Sequence, residues 1–308
     1  MNPAVRGAQA RKQLHEAFVS GLPVAAGTEP HLAGALAETL RNPGSMFRAE
    51  LAFHVAQCYG QSEERSENLA IALEYFHTAS LLFDDLPAMD NAARRRGAPC
   101  VHHLYGEGAA ILAALALINR AYALVWDSVA DLAPEARRRA LHYLEENLGL
   151  AGVLNGQSQD LHYAALPRGL QEPQRVALGK TVSLIRLSLA LPALIGGASP
   201  AEVRRFECLA VYWGLGYQTL DDLKDVLFPS GESGKTGARD AQLNRPNQAL
   251  FYGVSGALHR AQRLMGLGTR VIARLTRRRA SLSFLSEAHA RFETEMASLS
   301  HATPAVGA

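Results

Sequence analysis

Segments of twenty residues and more, rich in helix formers and apolar on more than one side, restrict this chain more than any other feature. Ala, Leu, Glu, Gln and Arg dominate them, and all but a few keep their side-chain freedom in a helix. Alternation of Val, Ile and Thr with polar residues is nearly absent, so a sheet has no pattern to form on. Glycine and proline punctuate the chain at intervals. The pattern predicts helices over 8–20, 29–41, 46–58, 63–84, 104–130, 134–164, 172–196, 200–226, 246–266 and 280–299. Their starts carry chemical signatures. Ser62 precedes Glu63 and Glu64, an N-cap with acids in the first turn. Pro134 suits the first helical position. Ser199 and Glu202 fit a capping box. Helices apolar on several sides belong inside a bundle. No segment reads as a linker, so the expectation is an all-α fold with one domain over residues 1–308.

Composition excludes several classes. With 48% hydrophobic and 19% charged residues the chain is not disordered. The 31 Lys+Arg against 29 Asp+Glu leave +2, too little for a general nucleic-acid binder. Cys58, Cys100 and Cys208 are odd in number and far apart. They read as reduced thiols in a cytoplasmic protein rather than a disulfide or zinc framework. Met1–Leu22 lacks the continuous apolar run of a signal peptide. The longest apolar run, Gly108–Ile118, is about half the ~20 residues that span a bilayer, which predicts a buried helix and no integral membrane segment.

Two acidic clusters stand out against this apolar background. The first is Asp84-Asp85-Leu86-Pro87-Ala88-Met89-Asp90; the second is Asp221-Asp222-Leu223-Lys224-Asp225. Each follows a long apolar stretch, where a carboxylate is costly unless something cationic meets it. Asp221 and Asp225 share a helix face one turn apart, with Gln218 on the same side. Asp84 and Asp90 would not share a face on a straight helix. Pro87 is placed to end that helix and let Asp90 fold back. One such cluster alone is an ordinary solvated helix end. Two, each with an apolar lead-in, point to a hard cation held by oxygen ligands and substrate phosphates, Mg²⁺ above all. Arg94-Arg95-Arg96, Lys180-Thr181 and Lys235 supply charges suited to phosphate. Arg277-Arg278-Arg279 reads as a solvated charge run.

These residues resemble the trans-isoprenyl diphosphate synthases, the all-α polyprenyl synthetase family, over about residues 35–250. DDxxxxD at Asp84/Asp85/Asp90 and DDxxD at Asp221/Asp222/Asp225 are specific in combination. His77-Thr78-Ala79-Ser80-Leu81, Arg95-Arg96-Gly97, Gly156-Gln157-Ser158-Gln159-Asp160, Lys180-Thr181, Tyr217-Gln218 and Gly234-Lys235 match in order and spacing. The resemblance implies a single large helical bundle around a deep apolar cavity, usually a homodimer. It implies three Mg²⁺ ions held by the six aspartates together with an allylic diphosphate gripped by Arg95, Lys180 and Lys235. Isopentenyl diphosphate would meet Arg48, His77 and Arg96. Asp84, Asp85, Asp221, Lys180 and Gln218 would carry ionisation, with Gln157 and Thr181 lining the substrate. Asp160 would help hold Mg²⁺ or Lys180.

The chain departs from the family near its N-terminus. Where GGKRxRP is usual, it has Pro43-Gly44-Ser45-Met46-Phe47-Arg48-Ala49, so Ser45 replaces a lysine and Met46 an arginine. A lost charge-assisted contact of ~1.5–3 kcal/mol weakens binding on the order of tenfold to over a hundredfold. Three readings follow: a chain-elongating synthase with altered isopentenyl binding, a terpene cyclase or unusual prenyltransferase on the same fold, or a non-catalytic prenyl-diphosphate-binding partner subunit. Ala79 and Ser80 are small and lie just before the first cluster. That leaves room for a twenty-carbon product, geranylgeranyl diphosphate, with farnesyl diphosphate the alternative.

Overall fold

The computed structural model describes residues 3–228 and 243–302. Helices dominate them: α1 (Pro3–Ser20), α2 (Pro30–Arg41), α3 (Phe47–Cys58), α4 (Glu63–Asp85), α5 (Val101–Val129), α6 (Pro134–Leu148), α7 (Val153–Leu161), α8 (Pro173–Lys180), α9 (Val182–Ile195), α10 (Pro200–Leu227), α11 (Gln248–Tyr252), α12 (Val254–Arg278) and α13 (Phe284–Ala302). The described strands are a two-residue antiparallel hairpin, β1 (Arg94–Arg95) with β2 (Ala98–Pro99). The predicted caps form. Ser62 Oγ accepts from Arg65 N–H, and Ser199 and Glu202 complete their reciprocal box.

Three expected helices are corrected. The 134–164 helix breaks between Leu148 and Val153, where Gly149 and Gly152 interrupt it. The 172–196 helix bends by 42° at Thr181. The 246–266 helix breaks at Gly253, whose φ of +73° suits glycine, and its second part continues to Arg278.

The chain divides into two compact units. The first holds α1 to α5 and the hairpin, through Arg138. Its centre is α4, packed on α1, α3 and α5, with Leu69, Leu73 and Tyr75 sealed from solvent. Tyr75 donates its hydroxyl proton to the Phe18 carbonyl, tying α1 down. The second unit begins at Arg139 and is centred on α9 and α10. Twelve of the 14 residues of α9 are buried, and each fully buried Leu or Ile there contributes about 1.5–3 kcal/mol. Trp213 and Phe206 of α10 complete that core.

Helix α5 differs from the buried helix that its apolar run predicts. Leu104, Ile111, Leu115, Tyr122 and Trp126 follow one another at intervals of seven and four and are 37–57% exposed. One face packs on α4 and α2, and the other is open in this chain. The helix is long and apolar enough to cross a membrane by length and composition alone.

Candidate active site

The first acidic cluster sits where α4 ends. Asp85 is the last helical residue, and the Pro87 turn reverses the chain as its sequence predicts. The Asp90 N–H donates to the Asp84 carbonyl at 2.9 Å, and the Ala92 N–H to that of Asp85 at 3.1 Å. The reversal brings the Asp90 backbone back onto Asp84. Both residues are half-buried.

Asp85 is used differently. It is 4% exposed and receives Arg95 from the hairpin. Arg95 Nε lies 2.8 Å from both carboxylate oxygens and Nη2 lies 2.7 Å from Oδ1. Burial works against the guanidinium charge, and the hydrogen bonds to Asp85 outweigh it, so the Arg95 pKa rises.

Beside this cluster, Arg48 of α3 donates from Nη1 to His77 Nε2 at 3.2 Å. Arg96 lies at the hairpin turn with φ +52° and donates to the Asn42 carbonyl at 2.7 Å. Its guanidinium occupies the space that a Cβ at Gly44 would need, so a side chain there would displace it. Ser45 is exposed. Met46 turns into the core at 2% exposure, in the left-handed conformation at the start of α3. Neither offers a cation. Ala79 is sealed, and half-buried Ser80 donates to the His77 carbonyl at 2.7 Å.

In the second unit, Gly156 of α7 and Gly179 of α8 meet backbone to backbone, and a Cβ on either would collide with the other helix. That contact brings Lys180 Nζ to 2.8 Å from Asp160 Oδ2. Asp160 therefore holds Lys180, one of the two roles its motif suggests. Gln157 is half-buried on the same helix. One residue further, Thr181 Oγ donates to Gln218 Oε1 at 2.7 Å, and Gln218 Nε2 donates to Asp222 Oδ1 at 2.8 Å.

Asp222 is 2% exposed. Its Oδ2 accepts the Gln248 N–H at 2.8 Å, and its carbonyl accepts Asn247 Nδ2 at 3.3 Å. Asp221 and Asp225 remain half-buried on α10. Lys224, between them, pairs with Glu295 of α13. Burial opposes the Lys224 charge, but Glu295 outweighs it and the ammonium pKa rises. Sequence reasoning missed Asn247, Gln248 and the Lys224–Glu295 pair, since the partners lie 25 to 71 residues apart. Lys235 lies outside the described residues.

Each cluster thus turns one aspartate inward, Asp85 or Asp222, and leaves Asp84 and Asp90, or Asp221 and Asp225, half-buried. Among the described residues no three acidic, His or Cys side chains converge as a preformed metal cage. Carboxylate oxygens without Cys or His suit Mg²⁺, which binds through one or two carboxylates and substrate phosphates rather than in an all-protein cage.

Residues 29–268 match the sequence model described as Polyprenyl synthetase. The chain is 35% identical to a geranylgeranyl diphosphate synthase of Pseudescherichia vulneris, over 69% of this chain and 73% of that one. It is 34% identical to the chloroplastic geranylfarnesyl diphosphate synthase of Leucosceptrum canum, over 68% of this chain and 59% of that one, so it spans about six tenths of that relative. Among solved structures it resembles the geranyltransferase of Helicobacter pylori complexed with magnesium and isoprenyl diphosphate. That likeness has a TM-score of 0.82 and 26% identity, over 96% of this chain and 99% of that one.

Proposed function

Because this chain belongs to the polyprenyl synthetase family, we propose that it is a Mg²⁺-dependent prenyltransferase that condenses isopentenyl diphosphate with an allylic prenyl diphosphate. The observation that carries this reading is that each acidic cluster has one aspartate anchored inside and two half-buried ones near a helix end.

Asp84, Asp85, Asp90, Asp221, Asp222 and Asp225 form the Mg²⁺-binding groups in this reading, with three ions bound alongside the diphosphate. Asp84, Asp90, Asp221 and Asp225 offer the reachable oxygens, while Asp85 and Asp222 set their positions. Bound Mg²⁺ supplies positive charge to the leaving diphosphate. Arg95, Lys180 and Lys235 add cationic contacts on the same group. Asp85 orients Arg95, and Asp160 orients Lys180. Gln218, Thr181 and Gln157 line the allylic carbon, whose developing cation needs a dry wall. Arg48, His77 and Arg96 take isopentenyl diphosphate. The small pair Ala79 and Ser80 supports a twenty-carbon product, geranylgeranyl diphosphate, ahead of farnesyl diphosphate.

A homodimer is part of the proposal, supported by the open apolar stripe of α5. A cytoplasmic location is supported by three cysteines, none of them in a disulfide. Exposed Ser45 and buried Met46 favour one second reading. It is a terpene cyclase or unusual prenyltransferase on the same fold, or a non-catalytic prenyl-diphosphate-binding partner subunit, that does not use isopentenyl diphosphate.

Incubation with Mg²⁺, isopentenyl diphosphate and each allylic diphosphate from five to fifteen carbons, with mass spectrometry of the dephosphorylated products, tests this. Twenty-carbon prenyl alcohols are expected. Hydrocarbons formed without isopentenyl diphosphate, or no turnover, would replace the proposal with the second reading.

A further inference from the structure

Glu74 is an ionisable residue, 2% exposed, and unused by the chemistry described above. It lies on α4 one turn before His77, so both side chains rise from the same face. Its carboxylate accepts the Ala49 N–H at the start of α3, and its Oε2 has no hydrogen-bond partner. The other deeply buried carboxylates are satisfied: Asp85 by Arg95, Asp160 by Lys180, Asp222 by two glutamine donors.

A buried carboxylate with a bare oxygen persists only where cations face it. Two do. Arg48 and Arg96 both act electrostatically on Glu74, one from α3 and one from the hairpin turn. Arg48 Nε, like Glu74 Oε2, is buried without a hydrogen bond. The two guanidiniums are therefore gathered by one shared counter-charge rather than by a closed salt bridge. This leaves Arg48 Nε available to a ligand. With Ser45 and Met46 supplying no charge, the placement of these two arginines decides what this corner of the molecule can hold.

We propose that Glu74 is a positioning residue of the isopentenyl diphosphate subsite, its buried carboxylate aligning Arg48 and Arg96 for the diphosphate without touching it. The inference rests on the reading of Arg48, His77 and Arg96 as that subsite. Burial raises the Glu74 pKa, and the two arginines oppose the rise, so its charge depends on them as their alignment depends on it.

The test is steady-state kinetics with each substrate varied in turn, on Glu74→Gln, Glu74→Asp and Arg48→Gln. Glu74→Gln keeps the acceptor for Ala49 and removes the charge. It is expected to raise the KM for isopentenyl diphosphate about tenfold, the worth of one charge-assisted contact. The KM for the allylic diphosphate and kcat should stay within about twofold. Glu74→Asp retains the charge and should recover part of the loss; it also serves if the glutamine variant does not fold. A KM for isopentenyl diphosphate that is unchanged or lower in folded Glu74→Gln overturns the proposal, as does an unchanged value in Glu74→Asp where that variant alone folds. If Arg48→Gln also leaves that KM unmoved, the subsite reading itself fails. If Arg48→Gln raises it and the Glu74 variants do not, the positioning role alone fails.

Discussion

The inward aspartates of the two clusters, Asp85 and Asp222, are held by opposite means. Asp85 is met by a full positive charge, the Arg95 guanidinium. Asp222 is met by dipoles: the Gln218 amide and the Gln248 backbone N–H on its carboxylate, with Asn247 on its carbonyl. The first arrangement neutralises the carboxylate. The second spreads hydrogen bonds from several neutral donors around it. Removing a partner should therefore cost more at the first cluster, where an unpaired buried charge is left behind, than at the second, where one of several donors is lost.

The largest effect expected is from Arg95→Met. It strands Asp85 and should destabilise the protein by about 3–5 kcal/mol in urea denaturation. Adding Asp85→Leu should restore much of the loss, because the apolar pair no longer buries a charge. A double variant no more stable than Arg95→Met would show that the pair is not the source of the cost. Gln218→Leu takes one donor from Asp222 and the acceptor from Thr181, and about 1–3 kcal/mol should follow. An effect equal to that of Arg95→Met would erase the distinction between charge and dipole.

Smaller again is Asn247→Ala. Asn247 caps α11 through the Leu250 N–H at 3.0 Å besides reaching the Asp222 carbonyl. About 1 kcal/mol is the usual worth of such a cap, and thermal melts would read it.

The smallest expected effect concerns pH. On α10, Trp213 Nε1 donates to His289 Nδ1 at 2.9 Å, which requires a neutral ring with the proton on Nε2, shared with Thr269 Oγ at 3.0 Å. Burial lowers the His289 pKa below the ordinary value of 6.5. The unfolded chain therefore binds this proton more readily than the folded one. The stabilising contribution is complete above about pH 6.5 and is lost as pH falls below it. Stability measured from pH 7.5 to 5.5 should fall more in the parent than in His289→Gln. Parallel curves would remove His289 from the account.

Much of this was legible locally. The Asp84-Asp85 and Asp221-Asp222 pairs, the Pro87 reversal and the caps at Ser62 and Ser199 depend on neighbours within a few residues. The glycines at 149, 152 and 253 were visible as helix interruptions, yet their effect was underestimated, because helix propensity on either side is high. The bend at Thr181 has Gly179 two residues before it, but a single glycine inside a strong helix pattern does not by itself announce a bend. Asn247 and Gln248 look like loop residues, and Glu74 reads as one more polar residue in a helix. Their roles come from partners more than 20 residues away.

By itself, then, the sequence determined the helical class, the positions of the acidic clusters and the turn that folds Asp90 back onto Asp84. Those outcomes rest on backbone propensity and short-range hydrogen bonds, which act between near neighbours. Tertiary structure decided which aspartate of each cluster turns inward, how Gly156 and Gly179 bring Lys180 to Asp160, and that Met46 turns into the core. It also left one face of α5 open. These depend on helix packing across long stretches of chain, where burial sets the cost of every unpaired charge.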